Sequence, residues 1–412
     1  MTEHLYYHNS FLYEFEAKIV DVSTADARTA IILDRTAFYP TSGGQVFDTG
    51  LIVAGDNKLR VSEVVEADDG TILHYIDGAA DVQKGIEVQG KIDADRRLDH
   101  MQQHSGQHVL SAAFVRLFKM ATVSFHMGVD ACSIDLDTKG LTSEQVEAAE
   151  SLTNDVITQD RPVGIRFVTQ EEAQGLGLRK IPPVERDKLR LIDIQDLDLT
   201  ACGGTHVAST GQIGSILLRK TEKVRQGWRV EFVCGKRAVT TARRDYATLA
   251  ESASLCSSHI WDLPQQIRKF QEEARTSRKT HERTLEELAE LYAGKLLADM
   301  PDQHGTAFIA QVYADRDLAF IKLLAQKLTQ QGRAVVALLA SIAGQPSLVF
   351  AQSAGQPFEM GALMKDALAR LGGRGGGSKD MAQGGPAKVE GLDSLLDELA
   401  AKLHPQGCNG AD

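Results

Sequence analysis

Two pairs of potential metal ligands, about a hundred residues apart, constrain the fold of this chain more than any other feature. His104 and His108 form an H-x-x-x-H pair, and Cys202 and His206 form a C-x-x-x-H pair. Residues four apart lie on one face of a helix, so two imidazoles there can meet one metal ion. Two glycines between Cys202 and His206 allow a tight turn that aims both side chains at one point. We therefore expect a fold that brings a helix and a distant turn together around a metal ion.

The ligand types favour one metal but leave its role open. Three imidazoles and one thiolate suit Zn²⁺. Four protein ligands usually mark a closed structural site, whereas a catalytic zinc site keeps one position for water. One of the four side chains could also swing away to provide that position. The competing interpretation is that His104 and His108, beside Gln103 and Gln107, form an ordinary exposed helix face, and the C-x-x-x-H pair argues against it.

Composition sets the class of protein. A chain of 412 residues is long enough for two to four domains. The five cysteines are scattered, which does not indicate a disulfide framework and fits a reducing cytoplasm. The first twenty residues contain several charges and predict no signal peptide, and the longest apolar run is too short to cross a membrane. We expect a cytoplasmic protein with no membrane partner.

Charge is distributed unevenly along the chain. The net charge of −11 argues against bulk electrostatic capture of nucleic acid. Residues 215–245, directly after the C-x-x-x-H pair, nevertheless carry nine basic and three acidic side chains, a local charge of +6. Either a solvated strand face or a phosphate-binding surface explains this pattern. The candidate phosphate contacts are Arg219, Lys220, Lys223, Arg225 and Arg229.

Hydrophobic periodicity predicts an α+β protein with four domains. Short β-branched runs separated by polar turns predict a small β-barrel over residues 1–90. Residues 91–235 read as an α+β metal-binding domain, with helices over 95–117 and 143–159. Residues 236–300 predict a charged helical hairpin or arm, and 301–412 a C-terminal α/β domain with alternating strands and helices.

A glycine-rich segment, residues 372–385, interrupts the last domain. It could be a flexible linker, a phosphate cradle or a tight loop between packed elements, and the ordered-looking flanks argue against a linker. Gly372 and Gly377 have the spacing of a P-loop, but Ser378-Lys379 reverses its final pair, so nucleoside triphosphate hydrolysis is not expected. Backbone amides together with Arg374 and Lys379 could hold an RNA phosphate.

A third motif makes the combination recognisable. Three segments occur in a fixed order: Phe38-Tyr-Pro40 with Gly43-Gly-Gln45, His104-Ser-Gly-Gln-His108, and Cys202-Gly-Gly-Thr-His206. Together they resemble the editing domain of alanyl-tRNA synthetase and its freestanding relatives, the AlaX alanyl-tRNA editing proteins. The C-terminal domain is similar to the DHH-associated domain of long AlaX proteins. The resemblance covers nearly the whole chain.

The resemblance implies a zinc-dependent deacylase that removes serine, with glycine as a second candidate, from mischarged tRNA(Ala). About 36 residues precede the first motif, so we expect no aminoacylation core and no charging activity. Thr36 and Gln45 are candidates for hydrogen bonds to the seryl group or the attacking water, and Gln107 is a candidate for the same cleft. A homodimer through the helical arm or the C-terminal domain is a further expectation. The alternative is an RNA-binding module with a structural zinc and no hydrolysis.

Overall fold

The computed structural model describes residues 2–25, 28–78, 82–176, 178, 188–300 and 305–404. The chain separates into two compact units, Met1–Glu251 and Ser252–Asp412. Both units mix helices and strands, which confirms the predicted α+β class. The finer division into four domains remains a prediction. Within the described residues, no helix is both long enough and apolar enough to span a bilayer.

The first unit opens with the predicted barrel. Its strands are β1 (Glu3–His4), β2 (Glu14–Ala25), β3 (Arg28–Leu33), β4 (Arg35–Thr36), β5 (Gly50–Ala54), β6 (Asn57–Glu66), β7 (Ile72–Ile76) and β8 (Glu87–Ile92). Six of them close a barrel in the order β2-β3-β7-β6-β5-β8, and the short β1 and β4 pair beside it. Alternate side chains such as Ile31, Ile52 and Val64 fill the barrel interior. The barrel ends directly before the helix that carries the histidine pair.

The rest of the first unit surrounds that helix. Its elements are α1 (Ala94–Phe118), β9 (Thr122–Met127), β10 (Cys132–Leu136), α2 (Ser143–Thr158), β11 (Val163–Val168), α3 (Gln170–Gln174), β12 (Leu189–Ile194), β13 (Asp198–Ala201), β14 (Ile216–Val224) and β15 (Gly227–Cys234). Two sheets form, with strand orders β14-β15-β10-β9 and β11-β12-β13. Helix α1 is buried from Gln103 to Phe114, because the sheets and α2 pack around it. This helix needs glycine at position 106 because Cys234 packs closely against it: an added Cβ would lie 2.2 Å from Cys234 Sγ.

Helices α4 (Gly235–Leu255) and α5 (Leu263–Ala298) follow, as the charged 236–300 region predicted. The second unit then contains β16 (Ala307–Tyr313), α6 (Leu318–Gln330), β17 (Val335–Ser341), β18 (Ser347–Gln352), α7 (Met360–Leu371), β19 (Gly373–Gly377), β20 (Met381–Pro386) and α8 (Leu392–Leu403). Five strands form one sheet in the order β16-β17-β18-β20-β19. The end of α5 and α6 cover one face of this sheet, and α7 and α8 cover the other.

The glycine-rich segment, for which a tight loop was one expectation, largely forms the hairpin β19–β20. Gly375 pairs with Gly384 across this hairpin. A Cβ on Gly375 would lie 2.5 Å from Gly384 Cα and 2.6 Å from Leu368 Cδ1. The glycines therefore allow the two strands and helix α7 to pack closely. Because glycine disfavours strands in general, its abundance obscured this strand pair in the sequence.

Candidate metal centre and adjoining cavity

The fold brings the two predicted ligand pairs together. Helix α1 places His104 and His108 one turn apart on the same face, and the turn after β13 supplies Cys202 and His206. One ligand atom from each of the four residues lies within 4.8 Å of every other. Cys202 Sγ is 3.5 Å from His104 Nε2 and 3.3 Å from His206 Nε2. All three rings are buried. This is a compact cluster of one sulfur and three nitrogen donors.

The opposite nitrogen of each ring faces a polar partner. His104 Nδ1 donates to Gln45 Oε1 at 2.8 Å. His206 Nδ1 lies 3.2 Å from Ser105 Oγ, and His108 Nδ1 lies 3.6 Å from a carboxylate oxygen of Asp198. Metal-binding histidines characteristically present their second nitrogen to such partners, which fixes the tautomer and turns the other nitrogen toward the ion. The arrangement therefore fits a bound metal in its second shell as well as in its donors.

Electrostatics favour a thiolate at Cys202. Burial raises the pKa of this thiol, but the neighbouring rings of His104 and His206 outweigh burial and hold the pKa well below its usual value. Burial lowers the pKa of His206 to about 3. For His108 burial also lowers the pKa, but the nearby Asp198 carboxylate and Cys202 sulfur outweigh burial and raise the pKa to about 9. A thiolate is the form of cysteine that binds metals.

The turn that carries Cys202 is held by an arginine that sequence reasoning missed. Arg190, on β12, donates from Nη1 to the carbonyls of Cys202 at 2.7 Å and Gly204 at 2.9 Å. Its Nε donates to the Tyr7 carbonyl at 2.9 Å. Gly204 is required for close approach, since an added Cβ would lie 2.2 Å from His104 Cε1. The expectation of a tight turn is met, and the glycine also makes room for the imidazole.

A cavity of about 490 Å³ opens beside the centre. His104, His108 and Cys202 contribute to one wall. Strand β9 and the residue before it contribute another, through residues 121–125. Gln107 lines this cavity, and its Nε2 donates to Ser111 Oγ at 2.8 Å. The centre therefore borders a space with both polar and apolar walls, which can receive a small organic group.

Thr36 and Gln45 do not line this cavity. Thr36 is fully buried, and its hydroxyl lies 2.8 Å from His74 Nε2. Gln45 is fully buried behind His104, where its Oε1 also accepts from the Thr205 amide at 3.1 Å and its Nε2 donates to Thr205 Oγ1 at 2.9 Å. The expected direct contact of these two side chains with a seryl group or a water is thus not provided by this geometry. Gln45 instead connects the barrel loop to both ligand segments.

Five of the predicted phosphate contacts belong to the first unit and two to the second. On β14 and β15, three of the five basic residues form ion pairs: Arg219 with Asp245, Lys220 with Glu222, and Arg229 with Asp135. The other two, Lys223 and Arg225, are exposed.

In the second unit, Arg374 and Lys379 are both exposed. Arg374 lines a cavity of about 380 Å³ with Gly375, Gly376 and Gln383, whereas Lys379 does not line it.

Family models match three parts of the chain. They are described as class II (A) tRNA synthetases over residues 2–96, as the threonyl and alanyl tRNA synthetase second additional domain over 189–230, and as the DHHA1 domain over 305–404. The second of these includes Cys202 and His206, and the third includes the glycine-rich hairpin.

Among characterised relatives, the alanyl-tRNA editing protein AlaX-L of Pyrococcus horikoshii is 32% identical over 98% of this chain and 100% of its own length. An alanine–tRNA ligase of Pyrococcus abyssi is also 32% identical over 98% of this chain, which spans 44% of that ligase. A crystal structure of the C-Ala domain of Aquifex aeolicus alanyl-tRNA synthetase overlaps 25% of this chain and 98% of its own, with 22% identity and a TM-score of 0.22.

Proposed function

Because this chain belongs to the AlaX family of alanyl-tRNA editing proteins, we propose that it deacylates mischarged tRNA(Ala), chiefly seryl-tRNA(Ala), with glycyl-tRNA(Ala) as a second substrate. The observation that carries the proposal is a cluster of four metal ligands, three buried histidines and the partly exposed Cys202, that borders a cavity for a small organic group. In the reaction, water adds to the ester carbonyl, the bond to the terminal ribose oxygen breaks, and free amino acid and uncharged tRNA leave. Such editing is needed because a pocket sized for alanine excludes glycine by only ~1–3 kcal/mol.

We assign the metal site to His104, His108, Cys202 and His206, with Zn²⁺ as the ion that this donor set fits. A bound zinc ion would supply Lewis acidity toward an ester carbonyl or a water. The chain itself orients the ligands: Gln45 fixes the ring of His104, and Arg190 holds the backbone of the turn.

Contacts with the body of the tRNA are proposed for exposed basic residues. Lys223 and Arg225 extend from the first unit without an ion pair among the described residues, and Arg374 and Lys379 extend from the second. Arg219, Lys220 and Arg229 are already paired with carboxylates, so each would have to divide its hydrogen bonds between its carboxylate and a phosphate. We also propose that residues 301–412 supply tRNA affinity or self-association rather than chemistry, because the metal centre and its cavity belong wholly to the first unit.

A second candidate function follows from the ligand count. Four protein ligands are typical of a structural zinc site, which would leave this chain an RNA-binding module without hydrolysis. The two functions predict different outcomes for a charged tRNA. An editing enzyme destroys seryl-tRNA(Ala) and spares alanyl-tRNA(Ala), whereas a binding module protects or ignores both.

The test is deacylation of tRNA(Ala) charged with serine, glycine or alanine by the purified, zinc-loaded 412-residue chain. We expect seryl-tRNA(Ala) to be hydrolysed much faster than alanyl-tRNA(Ala), and His104→Ala to lower that rate strongly. His281→Ala, which removes an exposed histidine of α5, is the matched control. Equal rates for serine and alanine would contradict editing, and binding without any hydrolysis would favour the structural-zinc module. A separate aminoacylation assay, with ATP, alanine and uncharged tRNA(Ala), tests the further proposal that this 412-residue chain does not attach alanine to tRNA.

A further inference from the structure

The cavity beside the metal centre contains a chain of hydroxyl groups that no proposed step uses. Gln107 Nε2 donates to Ser111 Oγ at 2.8 Å, and Ser111 Oγ lies 2.7 Å from Thr122 Oγ1. All three residues line the cavity that His104 and His108 border. Ser111 is fully buried and Thr122 is partly exposed. The chain of hydrogen bonds thus runs from helix α1 to the wall formed by β9.

The hydrogen bonds from Gln107 through Ser111 to Thr122 have a defined donor-to-acceptor direction. The amide Nε2 of Gln107 can only donate, so Ser111 Oγ is the acceptor of that bond. Ser111 can then give its own hydrogen to Thr122 Oγ1. Thr122 Oγ1 has no other hydrogen-bond partner among the described residues, so its hydrogen remains available to a group in the cavity. A donor at this position suits an occupant that brings a hydroxyl oxygen.

The backbone supports the same placement. Strand β9 pairs with β10 out of register at this point: Thr122 lies opposite Leu136 and Ser124 opposite Asp135, so that Val123 is an extra residue. Bulges of this kind change the direction of side chains and are common beside functional sites. Ser124 lines the cavity too, but its hydroxyl donates to Asp135 at 2.7 Å. Thr122 is therefore the hydroxyl of this strand that is free to recognise a ligand.

We propose that Thr122, oriented by Ser111 and Gln107, recognises the side-chain hydroxyl of the seryl group and gives the site its preference for serine. The inference rests on the proposed deacylase function and moves the recognition of serine from Thr36, which is buried against His74, to the wall of the cavity. A site built to hydrogen-bond a substrate hydroxyl discriminates against an analogue that lacks it. Glycine and alanine offer no such hydroxyl.

The test compares deacylation rates of seryl- and glycyl-tRNA(Ala) for the zinc-loaded full chain and its variants. We expect Thr122→Val to lower the serine-to-glycine ratio of kcat/KM by about three- to tenfold, the value of one neutral hydrogen bond, and Thr122→Ser to restore it. Ser111→Ala should lower the same ratio and keeps the test valid if Thr122→Val does not fold. Thr29→Val, the same change at a partly exposed barrel position, is the matched control and should leave the ratio unchanged.

The outcomes separate this inference from the function on which it rests. If the wild-type chain hydrolyses neither ester, the deacylase function fails and the inference fails with it. If the wild-type chain prefers serine and both Thr122→Val and Ser111→Ala keep that preference, the inference alone is overturned. A loss of preference in Thr36→Val without any loss in Thr122→Val would return serine recognition to Thr36.

Discussion

Removing the Gln45 side chain should weaken zinc binding although Gln45 is not a ligand. Its Oε1 accepts hydrogen bonds from His104 Nδ1 at 2.8 Å and from the Thr205 amide at 3.1 Å, in a fully buried position. In Gln45→Ala both donors lose their acceptor. The His104 ring then also loses the contact that keeps its Nε2 directed toward the other ligands.

Gln45→Ala should change two measurable quantities, the zinc affinity and the free energy of unfolding of the metal-free protein. Loss of a second-shell partner of a metal-binding histidine typically reduces metal affinity by about 10- to 100-fold, which is about 1.4–2.8 kcal/mol at 25 °C. The orphaned Thr205 amide is unsatisfied with or without metal, so its cost of about 1–3 kcal/mol should appear in the free energy of unfolding of the metal-free protein. Zinc affinity and apoprotein stability should therefore both fall.

The assay is competition for zinc against a chromophoric chelator, together with denaturant unfolding of the metal-free protein. Gln45→Glu retains the acceptor for both donors and should bind zinc more tightly than Gln45→Ala. Gln89→Ala, a barrel glutamine whose amide meets Glu14 at the surface, should change neither quantity. If Gln45→Ala binds zinc within about twofold of wild type while its stability falls, Gln45 supports only the turn and our account of His104 is refuted.

Three further predictions concern the same unit. Burial lowers the pKa of His74 to about 4, so between pH 6.5 and 4 the unfolded chain binds this proton more readily than the folded protein does. The free energy of unfolding, which has its full value above pH 6.5, should therefore fall by about 3 kcal/mol as the pH is lowered from about 6.5 to 4. Unfolding of His74→Gln, measured over the same pH range, should lack this part of the decrease. Arg190→Met should lower zinc affinity by about tenfold, with Arg190→Lys intermediate, because a lysine ammonium can donate to the carbonyls of Cys202 and Gly204 but has no second nitrogen to replace the bond from Nε to the Tyr7 carbonyl; unchanged affinity in chelator competition would contradict this. The Cys202→Ala/His206→Ala double variant should retain no stoichiometric zinc by elemental analysis, and a full equivalent per chain would disprove the site assignment.

The elements with strong local patterns could be predicted from the sequence. Helix α1 extends the predicted 95–117 helix by one residue at each end, and α2 begins at the predicted residue 143 and ends one residue before the predicted end at 159. The barrel strands followed from β-branched runs between polar turns. Local periodicity suffices in these cases because one face of each element is buried regularly.

Strands β9 and β10 were not predicted, although they form a wall of the cavity and the sheet beside it. The two strands pair with each other on either side of the turn at Gly128-Val-Asp130. This turn between two short β-rich stretches was the sequence signal available for a hairpin. The other partner of β10, strand β15, lies about a hundred residues later in the chain. Pairing over that distance leaves no mark in a local window, and neither does the register shift at Val123.

In the candidate site, too, residues with a local sequence pattern could be predicted and residues with distant partners could not. The four ligands were predicted because each pair is local and the residue types have few other uses together. The supporting residues Arg190, Ser105 and Asp198 were missed because each is a single ordinary residue whose partner is distant in sequence. Gln45 was identified through a motif, but its predicted role was direct contact with substrate, whereas its burial behind His104 makes it a positioning residue in this structure.

The two metal-binding pairs alone do not distinguish a structural zinc site from a catalytic one. An H-x-x-x-H helix and a C-x-x-x-H turn are enough to bind zinc in a structural site, so their presence does not by itself predict deacylation. In this chain the additional features are the cavity, the bulge of β9 and the hydroxyl chain through Ser111 to Thr122. None of these is needed to hold a metal ion, and the bulge and the hydroxyl groups both border the cavity. The proposed editing enzyme therefore differs from a structural zinc module more in the walls of this cavity than in the metal ligands themselves.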